Sequence, residues 1–121
     1  MHRSVFAAVV LAVPALLTAC AERLDPTPEQ PAERGRQLLA QYHCGTCHTI
    51  PGVDGARGKL AVTLESIGRR SYLAGHVPNG SEQLVQWIVD PASLVPDTTM
   101  PRMGVSPEDA RDIAVYLRSL H

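Results

Sequence analysis

From residue 31 onward the apolar positions recur at helical spacing in three separate stretches. Behind Pro31, whose fixed φ suits a first helical position, Gly35, Leu38, Leu39 and Tyr42 fall at i, i+3, i+4 and i+7. Ser81 is placed to cap a second helix, in which Leu84, Trp87 and Ile88 share a face before Pro91 ends it. Ser106-Pro107-Glu108-Asp109 opens the last: a serine cap, a proline at the first position and acids at the positive helix end. Ala110, Ile113, Ala114, Leu117 and Leu120 make its apolar stripe, with Tyr116 at the edge and the charges from Glu108 to Arg118 as its solvated face. Strand-like alternation is absent, and Pro and Gly dominate the rest. The expectation is an all-α domain with long loops.

The first twenty residues have a different pattern. A short positive start, Met1-His2-Arg3, precedes an apolar run from Val5 to Leu17, and small residues end it at Cys20. This is the layout of an export signal. Leu17-Thr18-Ala19-Cys20 resembles the bacterial lipobox, in which cleavage precedes a lipid-bearing cysteine. The alternative is an uncleaved membrane helix, since Ser4 to Ala21 carries no charge, although Pro14 interrupts it. Residues 1–19 therefore read as a lipoprotein signal and 20–30 as the lipidated Cys20 with an extended, proline-containing linker. Residues 31–121 are the folded domain, exported and tethered to a bacterial membrane facing the periplasm or the cell exterior.

Composition adds a constraint. The whole chain has 121 residues and a net charge of −1, which argues against a nucleic-acid partner held by a basic surface. Beyond the leader its only aromatic residues are Tyr42, Tyr72, Trp87 and Tyr116, few for filling a core. Roughly forty residues also separate the first helix from the second, a length that calls for something to wrap around. Both features point to a large buried group.

Cys44-Gly45-Thr46-Cys47-His48 supplies the chemistry for one. Two thiols three positions apart on one helical turn can each add to a haem vinyl group, and the adjacent histidine then offers a neutral imidazole to the iron. Two other readings stay open at this level: a Cys44–Cys47 disulfide or thiol redox pair, and a zinc site completed by His43 or His76. His43, His76 and His121 otherwise read as surface residues. No Ser-His-Asp set or carboxylate pair stands out, so no small-molecule substrate is expected. Past the leader the methionines are Met100 and Met103, both between the second and last helices. Pro101 biases Met100 toward an extended backbone and Pro96 stiffens the approach.

With these motifs residues 31–121 resemble the class I c-type cytochromes. The likeness rests on Gly35, the Cys44–His48 motif, the Met100-Pro101 step and Tyr116-Leu117 in the last helix. It implies a small cytochrome c fold, with helices and long loops around one covalent haem c, and Gly35 meeting an aromatic such as Tyr116 where the end helices cross. It also implies His48 and Met100 as the two iron ligands, Met103 being a core or haem-edge contact. A narrower likeness through Gly68-Arg69-Arg70, Tyr72-Leu73-Ala74-Gly75, Pro78-Asn79, Trp87 and Asp90-Pro91 is to the cytochrome domains fused to subunit II of bacterial terminal oxidases. It implies Arg69, Arg70 and Trp87 near the haem propionates. Where the family commonly has a Gly-Pro step, whose carbonyl takes the proximal histidine N–H, this chain reads Ala61-Val62.

The expected function is a membrane-tethered, monohaem electron carrier between a redox donor and acceptor, a terminal oxidase among the candidates, and not an enzyme. The alternatives are a haem subunit held within an oxidase or dehydrogenase, and a sensor or peroxidase with an open sixth position.

Overall fold

The computed structural model describes residues 29–121. The expected leader, Cys20 and all but the last two residues of the linker lie outside the described residues. The element order is α1 (Glu29–Gln41), a 3-10 turn at Cys44–Thr46, another at Ile67–Arg69, strands β1 (Tyr72–Leu73) and β2 (Val77–Pro78), then α2 (Ser81–Val89), α3 (Pro91–Leu94) and α4 (Pro107–Ser119). The domain is small and mostly helical, as its periodicity implies.

Three local readings are corrected. Helix α1 starts at Glu29, two residues before Pro31. Ser81 does not cap α2: it is the first helical residue, and Gly80, in extended conformation, holds the cap position and accepts the Leu84 N–H at 2.9 Å. The third concerns strands. β1 and β2 form an antiparallel pair with Tyr72 opposite Pro78 and Leu73 opposite Val77. Each strand has one buried and one exposed residue, too short a run to show alternation. Pro91 does end α2, and it also begins α3 at that helix's first position. The Ser106 cap forms as expected, its Oγ accepting the Asp109 N–H at 3.1 Å.

Helix α4 lies at the centre, packed chiefly on α1 and then on α2. Leu38 and Leu39 from α1, Ile113 and Leu117 from α4, and Leu84 and Ile88 from α2 form the buried middle. No aromatic ring is fully buried among the described residues; Tyr42, Trp87 and Tyr116 pack half-buried against this cluster. The close crossing of α1 and α4 depends on Gly35, where an added Cβ would stand 2.0 Å from the Asp112 carbonyl oxygen. The nearest atoms to Gly35 there are α4 backbone at Asp112 and Ile113, and Tyr116, one turn further along α4, donates its hydroxyl to the Pro51 carbonyl at 2.6 Å.

A polar clasp closes the same crossing. The Tyr42 hydroxyl donates to Asp109 at 2.7 Å, and the Arg34 guanidinium bridges Asp109 and Asp112. The Tyr42 bond first, with Arg34 behind it, holds the Asp109 carboxyl below its ordinary 3.8 against the opposing effect of desolvation.

Two predictions follow from this crossing. Gly35→Ala improves helix propensity by about 1 kcal/mol but forces two backbones apart at a greater cost, so the Tm should fall by roughly 5–10 °C. A thermal melt of the two proteins checks this. The depressed Asp109 pKa means its stabilisation is complete above 3.8 and is lost as pH falls through the folded value. Asp109→Asn should therefore lower the Tm near neutrality, and the gap from wild type should shrink as pH is taken down below 3.8.

Candidate haem-attachment site

The residue after the last turn of α1 sets up the site. His43 has a left-handed backbone, φ 56°, which stops the helix and redirects the chain into the turn at Cys44–Thr46. The Cys44 carbonyl accepts the N–H groups of both Cys47, at 3.2 Å, and His48, at 3.0 Å. Cys44, Cys47 and His48 are thus brought together on one helical turn. A loop runs tightly against that turn. Gly58 donates its N–H to the Gly45 carbonyl at 3.0 Å, and a Cβ on Gly58 would meet the Thr46 carbonyl oxygen at 2.4 Å.

Both cysteines are half-buried free thiols, and burial pushes the Cys44 pKa up. That is the opposite of the shift that activates a redox cysteine. Among the described residues no three His, Cys, Asp or Glu side chains gather where they could hold a metal ion.

His48 is half-buried, and its Nδ1 lies 2.7 Å from the Val62 carbonyl oxygen. A carbonyl only accepts, so Nδ1 carries a proton, and in the neutral imidazole Nε2 is then the nitrogen with the lone pair. Valine in place of a ring-fixed residue leaves this acceptor in position. Of the two methionines, Met100 is half-buried, with its N–H held by Thr98 Oγ1 at 3.2 Å, and Met103 is exposed. Both lie on the segment between α3 and α4, apart in sequence from the cysteine turn.

The remaining expected residues are scattered around this centre. Arg69 is exposed at the end of the Ile67–Arg69 turn. Arg70 donates from Nη2 to the Thr63 carbonyl at 2.6 Å. Trp87 packs half-buried on α2. His43, His76 and His121 are exposed. Missed by the sequence reading is Asn79 as a hub. Its Nδ2 donates to the carbonyls of Ile67, at 2.8 Å, and Arg70, at 2.9 Å, and its own carbonyl accepts from Arg118 at 3.1 Å. Only the Pro78-Asn79 step hinted at it.

The donor set fits a covalently held haem: two free thiols and an imidazole whose Nδ1 is taken up by a backbone carbonyl, leaving Nε2 as the ring nitrogen that could ligate, on one turn. Exposed apolar side chains fit it too. Leu60, 83% exposed, and Val62, 62% exposed, flank the segment that holds His48, and Met103, 39% exposed, follows Met100. Isolated exposed apolar residues are ordinary; these lie on the loop whose carbonyl meets His48 and on the segment that carries Met100, and a bound macrocycle would give them an apolar partner.

Comparisons with known proteins agree. Residues 32–121 match the family described as cytochrome c. The chain is 38% identical over 101 residues to cytochrome c oxidase subunit 2 of Alkalihalophilus pseudofirmus, covering 83% of this chain and 28% of that protein. It is 26% identical over 87 residues to the subunit of the same name in Bacillus subtilis, covering 70% of this chain and 24% of that protein. The chain thus spans only about a quarter of the length of these relatives. No solved structure gives a significant match. With a half-buried thiol pair, a histidine oriented by a backbone carbonyl and a family match over nearly all the described residues, the chain belongs to the cytochrome c family.

Proposed function

We propose that this chain is a membrane-tethered, monohaem carrier passing single electrons between redox proteins, with iron ligated by His48 and Met100. Domains of this family transfer electrons and catalyse no bond change. The observation that carries the reading is the His48 Nδ1–H bond to Val62, which leaves Nε2 free beside two thiols on the same turn. Haem supplies the one-electron ferric–ferrous couple when bound. Cys44 and Cys47 hold it as thioethers, so the group is not exchanged with solvent. The Val62 carbonyl keeps the His48 ring from rotating and raises its donor strength. Met100 offers a thioether, a soft donor that favours ferrous iron, on a segment stiffened by Pro96 and Pro101. Arg69, Arg70 and Trp87 are assigned to the propionates, as charge partners and an indole donor.

Subunit 2 of an oxidase is what the two relatives are named, and a terminal oxidase is accordingly the acceptor we assign. Cys20 carries the lipid that holds the domain at the membrane, on its periplasmic or outer side. Several acyl chains anchor stably where one alone is marginal, each buried CH₂ contributing about 0.8 kcal/mol.

Met100→Ala should abolish the weak near-infrared sulfur-to-iron band, lower the midpoint potential and admit carbon monoxide. The same three changes in Met103→Ala but not in Met100→Ala would overturn the ligand assignment. Carbon monoxide binding by the wild type would instead favour a sensor with an open sixth position. For the tether, Cys20→Ser should leave the protein without acyl groups by mass spectrometry; wild-type protein bearing an unmodified Cys20 behind an intact leader would exclude it.

A further inference from the structure

The carbonyl that orients His48 sits on an unpromising segment. Residues 59–63 are irregular and all exposed, and Val62 has no ring to fix its φ. Hydrogen bonds must therefore supply what rigidity the acceptor has. Peptide planes are rigid units, so the anchors can be read plane by plane. The plane between Leu60 and Ala61 is held by the Ala61 N–H donating to the Cys47 carbonyl at 2.9 Å. The plane between Val62 and Thr63 presents its oxygen to His48. The next plane is gripped at both ends: the Leu64 N–H donates to Thr49 at 2.9 Å, and Arg70 Nη2 donates to the Thr63 carbonyl at 2.6 Å.

The anchors on Cys47 and Thr49 are sequence neighbours of His48, so they move with it. Arg70 does not. Its backbone is fixed by Asn79, whose amide spans the carbonyls of Ile67 and Arg70 and whose own carbonyl is held by Arg118 of α4. A charged donor at that distance makes one of the stronger hydrogen bonds available to a backbone carbonyl. It ties the His48 acceptor to the body of the domain.

We propose that Arg70 is a positioning residue for His48, acting through the Thr63 carbonyl to hold the Val62 carbonyl in line with Nδ1. This rests on the reading of His48 as an iron ligand and adds a role distinct from pairing with a propionate. Loosening the grip would weaken the Nδ1–H bond, make the imidazole a poorer donor and raise the potential. Removing a positive charge near the iron does the reverse, because ferric iron is then less disfavoured. The two roles have opposite signs.

The test compares the haem-loaded wild type with Arg70→Met and Arg70→Lys, following solvent exchange of the His48 Nδ1 proton by NMR and the midpoint potential. Arg70→Met should speed that exchange about tenfold, the loss of roughly one charged hydrogen bond, with Arg70→Lys in between. Backbone N–H groups of Leu39 and Ile113 should exchange as in the wild type. Unchanged Nδ1 exchange in both variants, with a lowered potential in Arg70→Met, is the charge effect alone and overturns the proposal. Equal acceleration at Leu39 and Ile113 overturns it as well, since Arg70 would then only support the fold. A wild type without an iron-bound His48 imidazole is a separate result, which defeats the ligation reading itself.

Discussion

Helices α1 and α4 meet backbone to backbone at Gly35, and the position of everything that follows α1 is referred to that crossing. The chain has few large rings, so its interior is aliphatic and its helices gain contact by approaching closely. Gly35 leaves room for that approach, since an added Cβ there would meet the backbone of Asp112 and Ile113. The clasp of Tyr42, Arg34 and Asp109 then fixes α1 in rotation as well as distance. Tyr42 is followed immediately by left-handed His43 and the cysteine turn. The thiols and His48 therefore inherit their placement from a helix pair whose contact tolerates no added atom.

The long loop after the cysteine turn is held in another way. It has no periodic element of its own before the turn at Ile67, and its carbonyls are taken up by side chains reaching from α1, from α4 and from the residue after that turn. Arg36 of α1 donates to Gly52, Tyr116 of α4 to Pro51, and Arg70 to Thr63. Each such bond contributes about 1 kcal/mol, so the path of the loop is a sum of small terms rather than one strong one. A loop built this way can present carbonyls at fixed points while staying at the surface, which is what His48 requires of Val62.

How much of this can be read from residues alone depends on how local its cause is. Helices α1 and α4 are legible because their burial repeats every three or four residues, and the Ser106 cap because its bond closes within three. The Ser81 reading slips by one position since glycine and serine both satisfy a cap, and nothing nearby separates Gly80 from Ser81. The cysteine turn is legible because Cys44, Cys47 and His48 fall within five consecutive residues, which a single turn gathers. Availability of a carbonyl near Val62 is legible, but the side chain that braces it is not. A guanidinium serves a propionate or a carbonyl equally well, and the choice made by Arg70 depends on the path of a loop with no periodicity. Asn79 is hidden for the same reason: its partners Ile67 and Arg70 approach only once β1 and β2 have turned the chain back.

That distribution of causes suits the chemistry. The proposed carrier would change only its charge and would work best when little moves between the two states, and His48, as its proposed ligand, would move chiefly by rotating about its own bonds. Rotation of His48 is opposed by one hydrogen bond at Nδ1. The acceptor must then be firm, yet it cannot lie deep in the core, because a buried loop leaves carbonyl and N–H groups without partners. An exposed peptide gripped from its own turn at Leu64 and from the domain body at Thr63 meets both demands. A proline at residue 62 would have stiffened the same segment covalently. With valine there, the stiffness is delegated to the bonds made around it, and Arg70 is the one that reaches in from outside the loop.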